Sequence, residues 1–315
     1  MMARANFTER GTQAKTFEEL RCYPSSAGGS QQQSIIFSAA NILFSIIALL
    51  GNSLILAALH KESALHPPSK LLYRCLATTD LLIGLAGQPL YVTYYISLVY
   101  EDWDLCRYAV DAAFITGYAL CGASLLTVTA ISVDRLLALQ LGLRYKQVVT
   151  LKRTRIILAT FWIVSSISAF CYVLDPQISF WCSYIVPPPC LMISVASYIK
   201  IFSTLRCLQA KVQDPIQQQP SAPNALNMAR YRKAVYSALW VQLTLVVCYL
   251  PYIVMQIKIV YSKTYPSQSS ISFEIAYSLV YFNSTLNPFL YCWNICEVRQ
   301  AVKQTMRQAF SCAWN

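Results

Sequence analysis

Seven long apolar stretches separated by short polar segments organise this chain. They run from Ser34 to Leu59, Cys75 to Tyr100, Ala112 to Val133, Ile156 to Leu174, Pro176 to Ile199, Ala234 to Ile257 and Ile275 to Cys296. Each holds about 19 to 26 residues, enough for a helix to cross a hydrocarbon core about 30 Å thick. Soluble helices are rarely free of charge for so long, so membrane spans are the better reading. Asp80 alone breaks the second stretch, and Asp111 and Asp134 bracket the third. The pattern predicts an all-α membrane protein, a seven-transmembrane helix bundle with a short amphipathic cytoplasmic helix after the last span. Helices are expected over about 34–59, 72–100, 108–138, 153–174, 176–208, 229–260 and 271–294. Residues 1–33 form an extracellular tail, 34–296 the bundle, and 297–315 the cytoplasmic helix and tail.

Composition strengthens this reading. The chain is 56% hydrophobic and 12% charged, where soluble domains carry about 25% charged residues. The net charge of +11 is unevenly spread. Cations crowd the segments after the first, third, fifth and seventh stretches, such as Arg135, Arg144, Lys146, Lys152, Arg153 and Arg155 after the third. The alternate segments hold Glu101, Asp102, Asp104 and Arg107, then Asp175, then Lys263 and Glu274. The positive-inside rule sets the N-terminus outside and the tail in the cytoplasm. Topology accounts for the charge, and nucleic-acid binding is not expected. No cleavable leader is visible, and Asn6-Phe7-Thr8 is a glycosylation sequon on the outer tail. Residues 212–227 read as a flexible inner loop.

The chemistry of catalysis is missing. Most of the twelve cysteines lie inside spans, where the thiol behaves as a small hydrophobe. Their spacing fits no zinc pattern. His60 and His66 fall in one inner loop, where solvated rings are expected. With no phosphate-cradling loop and no nucleophile set, an enzyme is not expected.

Asn287-Pro288-Phe289-Leu290-Tyr291 near the end of the seventh stretch carries the most information. Proline removes a backbone donor and kinks a membrane helix, and lipid offers no water to repair the loss. Such a polar, deformable joint suits a helix that switches. Other short patterns accompany it: Gly51-Asn52 in the first stretch, Leu76 to Asp80 in the second, Asp134-Arg135 at the end of the third, Trp162, Tyr198, and Cys248-Tyr249-Leu250-Pro251 in the sixth. On these motifs, in this order, the chain resembles a rhodopsin-like (class A) G protein-coupled receptor, with a likeness to the melanocortin, cannabinoid and adenosine receptor branch. The match covers all seven stretches. Departures include Leu136 after Asp-Arg, Tyr249 in place of a tryptophan, Tyr231 in place of an acid, and Cys190 in place of a mid-span proline. The link between the fourth and fifth stretches is also very short.

The resemblance implies a plasma-membrane receptor that promotes nucleotide exchange on a heterotrimeric G protein, with arrestin and a receptor kinase as further partners. It implies a small-molecule or peptide ligand held by Gly117, Cys121, Tyr249, Tyr252, Gln256, Tyr277 and Tyr281. Gly117 stands where amine receptors place an aspartate, and Tyr281 where light-sensing members carry a lysine, so neither an amine ligand nor retinal is expected. The switch would comprise Asp134, Arg135, Tyr198, Pro251, Asn287, Pro288 and Tyr291, with Asp134 holding the guanidinium in a charge-assisted pair. Asp80 is read as the only carboxylate deep in a span and should have buried partners. With Ser124, Asn283 and Asn287 it resembles the family's Na+ site; Asn52 and Ser284 are available at similar depth. No other cofactor is expected. Two partners remain open to Cys106. Cys22 lies on a tail long enough to cross the bundle mouth, and Cys182 lies near the outer end of the fifth stretch. The alternative function is a seven-span transporter or channel, which would need polar groups or broken helices along a continuous path.

Overall fold

The computed structural model describes residues 22, 31–61, 65–213, 240, 243–258, 271–294 and 296–313. The sequon at Asn6, the loop over 214–227 and Tyr231 lie outside the described residues. Those described fold into helices packed along a common bundle: α1 (Gln31–Lys61), α2 (Pro67–Val99), α3 (Trp103–Leu141), α4 (Leu151–Leu174), α5 (Pro176–Ile185 and Pro187–Gln213), α6 (Leu243–Lys258), α7 (Ile271–Asn294) and α8 (Cys296–Ala313). Among the described residues there is no strand, as lipid demands of a bundle whose backbone groups must pair within each segment. The central helix is α3, which packs on α2, α4 and α5, while α1 packs on α2, α7 and α8.

Several helices outrun the apolar stretches that announced them. Polar residues at helix ends can reach the interface while the backbone stays helical. Thus α1 starts at Gln31, and α3 continues past Arg135 to Leu141 before Gly142 turns the chain at φ 49°. Asp102 caps α3 by accepting from the Leu105 amide at 3.0 Å, and Thr150 caps α4. His60 belongs to the last turn of α1 and lies 3.0 Å from Arg74, and the His66 ring sits 5.1 Å from that of Tyr145. His60 thus sits at a helix end and not in the loop, and it stays exposed as expected, whereas His66 is half-buried just before α2.

Proline placement explains the breaks. The α2 helix widens into a π turn over Ile83–Gly87 just before Pro89, whose ring would otherwise meet the carbonyl four residues back. The Ser45 hydroxyl donates to the Gly84 carbonyl at 2.7 Å within that turn. In α5 the helix stops at Val186 and restarts with Pro187-Pro188-Pro189. Absent amide hydrogens cost little in a first turn, so α5 bends there without a proline at Cys190.

The proline inside α7, Pro288, is the most telling. Proline leaves the Ser284 carbonyl without its helical donor, and the Asn52 side chain of α1 donates to that carbonyl at 3.1 Å. The repair therefore comes from a neighbouring helix. Gly51 makes it possible, because a Cβ there would lie 2.8 Å from Pro288 Cγ. A rigid ring cannot yield. Gly51→Leu is expected to separate α1 from α7, orphan the Ser284 carbonyl and lower the melting temperature of the purified protein, at a cost of about 2 kcal/mol or more. Gly51→Ala should show a smaller loss of the same sign.

After α7 the chain runs along the bundle as α8. Val298, Ala301 and Val302 are buried at helical spacing, and Lys303 and Arg307 are exposed.

Candidate functional site

Three groups of side chains along the bundle axis carry the chemistry. At mid-depth Asp80 is fully buried. Asn287 donates to its Oδ2 at 2.7 Å and Ser124 to its Oδ1 at 3.1 Å, with Ser284 also hydrogen-bonded to it. Helices α2, α3 and α7 thus meet on one carboxylate. Asn52 and Asn283 do not join them: Asn52 serves the Ala48 and Ser284 carbonyls, and Asn283 Nδ2 is buried without a partner. Glu274 is buried as well, as is Asp134. Glu274 in the first turn of α7 accepts from Tyr91 at 2.5 Å and from Tyr95, both on α2. The expectation that Glu274 belongs to a loop is corrected: it is buried in the first turn of α7, at the helix end, while Asp80 lies at mid-depth.

One end of the bundle, here the arginine end, holds Asp134 and Arg135. The two do not form the expected pair. Asp134 Oδ2 accepts from Ser69 at 2.9 Å and Oδ1 from Tyr145 at 2.6 Å. Arg135 instead donates to the Tyr73 hydroxyl through Nε at 3.2 Å and a terminal nitrogen at 2.9 Å. The two side chains diverge, and the hydroxyls of Ser69 and Tyr145 satisfy the acid in place of the guanidinium. The Tyr73 ring then meets Tyr291 edge-on at 5.1 Å. So Tyr73 stands between the arginine and the Asn-Pro helix, and the Tyr291 hydroxyl is buried with no partner. Tyr198 packs against Leu136 and Leu139. Ser69 and Tyr73 are four residues apart, on one face of α2. That spacing was the only signal of their shared role.

The opposite end carries a disulfide between Cys22 and Cys106, with Cα atoms 5.9 Å apart. Cys182 is a free thiol. Between this end and Asp80 lies a cavity of about 260 Å³. Gly117, Cys121, Tyr249, Tyr252, Tyr277 and Tyr281 line it. Gln256 is buried but not in the lining; its amide donates to Tyr252 at 2.6 Å and to Ser183 at 3.2 Å. It holds the hydroxyl of Tyr252, so its described link to the cavity runs through that tyrosine. Gly117 leaves the space that the α7 tyrosines occupy. A Cβ there would lie 2.8 Å from the Tyr277 hydroxyl and 3.1 Å from that of Tyr281. The wall also draws on α4, through Val164, Ser165, Ile167 and Ser168. Sequence reading did not include α4, because nothing in its apolar stretch separates a lipid-facing side from a cavity-facing one.

Comparison with known proteins agrees with this layout. The family described as 7 transmembrane receptor (rhodopsin family) matches residues 51–291. The chain is 32% identical to the adenosine receptor A2b of Rattus norvegicus over 135 residues, 43% of this chain and 39% of that protein. It is 30% identical to the adenosine receptor A2b of Bos taurus over the same length and shares. It is 29% identical to the muscarinic acetylcholine receptor gar-2 of Caenorhabditis elegans over 134 residues, 42% of this chain and 21% of that protein. The chain thus aligns with about two fifths or less of the length of these relatives. The family match, by contrast, takes in the Gly51 contact at one limit, Tyr291 at the other, and the Asp80, Arg135 and cavity groups between them, and on that ground the chain belongs to the rhodopsin family of seven-transmembrane receptors.

Proposed function

We propose that the chain is a plasma-membrane receptor whose disulfide end faces outward and which promotes nucleotide exchange on a heterotrimeric G protein at its arginine end. The observation that carries this reading is the division of labour along the axis. A cavity ringed by tyrosines lies toward one end, Arg135 toward the other, and the proline-containing α7 connects them through Tyr277, Tyr281, Asn287 and Tyr291. A ligand in the cavity touches α6 on both sides of Pro251, at Tyr249 and Tyr252, and α7 at Tyr277 and Tyr281, about two turns before Pro288. It favours an open arrangement only by the difference in its affinity for the two states. In the open state Arg135 leaves Tyr73 and offers its donor fork to a Gα subunit. Arrestin and a receptor kinase would engage the same end.

The test is uptake of a labelled GTP analogue by Gα subunits of several classes in membranes bearing the receptor, screened against a small-molecule library. Ligand-dependent uptake for at least one Gα class is expected. Solute flux in reconstituted vesicles without any exchange would favour a transporter instead.

Na+ belongs to the same proposal. Asp80 offers two carboxylate oxygens with Ser124 and Ser284 hydroxyls around them, a donor set of the hard oxygen type that Na+ takes, and its described neighbours are neutral. An ion that binds only the folded state raises its stability by mass action. Replacing choline by sodium at constant ionic strength should therefore raise the melting temperature of the purified receptor, and Asp80→Asn should remove that rise. Equal sodium dependence in both proteins counts against the site.

A further inference from the structure

The wall of the cavity and the outer surface of the bundle share two side chains. Val164 and Ile167 of α4 line the cavity, yet they are 47% and 56% exposed. Three residues apart, they lie on one side of α4. Across the α4–α5 seam, Cys182 and Val186 of α5 line the same space. In a membrane-spanning bundle this exposure is to lipid. On this side the cavity wall is thus a single layer of side chains, the outer faces of which are exposed.

The route along the axis from the disulfide end is different. A layer of rings crosses it: Tyr172 of α4 lies 5.9 Å from Phe114 of α3, Phe114 lies 5.4 Å from Tyr277 of α7, and Tyr277 lies 5.0 Å from Tyr91 of α2. Phe114 and Tyr172 are buried. The chemistry of the wall points the same way. Among the described residues no Asp, Glu, Lys, Arg or His lines the cavity, so a charged ligand would be buried there without a described counterion. One polar group there lacks a partner. Ser165 belongs to the cavity lining, and its hydroxyl, buried behind that surface, makes no hydrogen bond. Buried hydroxyls are almost always paired.

We infer that the ligand is an uncharged lipophilic molecule with one hydrogen-bonding oxygen or nitrogen, which enters from the bilayer between α4 and α5 and bonds Ser165. A cavity of about 150 Å³ holds benzene, so this one suits roughly ten to fifteen non-hydrogen atoms. That such binding is signalled rests on the receptor reading above; the binding itself does not.

The probe is an octanol bearing a diazirine, applied to the full chain in phosphatidylcholine nanodiscs and cross-linked by light. Saturable labelling of Cys121 and the Ser165 peptide is expected, displaced by octanol and at least about tenfold less well by octylammonium. Ser165→Ala should weaken octanol displacement about threefold or more. Ile167→Trp or Val164→Trp, each at a lipid-exposed position, should slow labelling of Cys121 about threefold or more. Phe114→Ala should leave the rate unchanged. Labelling confined to lipid-facing residues without saturation overturns the inference. So does equal competition by octylammonium, or faster labelling in Phe114→Ala with no slowing in the Trp variants. A protein that labels but fails to drive nucleotide exchange defeats only the receptor reading. One that exchanges nucleotide but does not label defeats only this inference.

Discussion

Arg135→Ala is expected to lower nucleotide exchange by at least about tenfold, while its neighbour Tyr73→Phe raises exchange in the absence of ligand. The two substitutions touch the same hydrogen bonds, yet they act on opposite sides of the equilibrium. Tyr73 accepts two hydrogen bonds from the guanidinium in the state described here. A hydrogen bond to a charged group contributes about 1.5–3 kcal/mol. Losing the hydroxyl removes that stabilisation from the closed state alone, so the open population should rise by roughly tenfold if the closed state dominates. Arg135→Ala releases the same latch but also deletes the group proposed to meet Gα, and the second loss decides the outcome. The check is the basal exchange rate in membranes with surface expression normalised. A Tyr73→Phe receptor with wild-type basal activity would show that the hydroxyl holds nothing shut.

Cys106→Ser is expected to be the most damaging substitution for stability. The Cys22–Cys106 bridge spans a sequence separation of 84 residues and encloses α1 and α2. In the chain-entropy picture, closing a loop of that size contributes about 4.5 kcal/mol. Both cysteines are buried within the main core, so the serine hydroxyl would also be left in an apolar setting. Melting of the purified receptor should fall sharply, and Cys22→Ser should fall with it. The double variant should be no worse than either single one, because the same bond is lost once. Additive losses would mean that the two sites act through packing and not through the bridge.

How much of this was legible beforehand depended on where the information resides. Lipid forces helices, so seven apolar stretches were enough to read a bundle. The Asn-Pro joint was legible for the same reason, since a missing donor must be replaced. Which group replaces it was not. Asn52 lies 232 residues from Ser284, and only the packed bundle brings them together. Asp134 and Arg135 are adjacent in sequence, yet adjacent side chains on a helix point about 100° apart, and each found partners elsewhere. Glu274 looked like a loop acid because it stands next to a polar segment, and the tyrosines that receive it are on another helix. Gln256 was read as a wall residue, and its hydrogen bond to Tyr252, one turn earlier on the same helix, was not. In each case the residue type was readable, and the rotation of one helix against its neighbour was not.

The joint between α4 and α5 has a consequence for how the protein is made. Asp175 alone separates Leu174 from Pro176, and one residue spans at most about 3.6 Å. Asp175 and the next turn are already hydrogen-bonded, its amide to Cys171 and its carbonyl to Ile178. As the chain leaves the ribosome, α4 has no slack with which to settle across the bilayer while α5 waits in water. The two segments are therefore expected to enter the membrane together as a hairpin. The seam inferred to be the side entrance to the cavity is then laid down in one biosynthetic event, before α6 and α7 arrive to close the far wall.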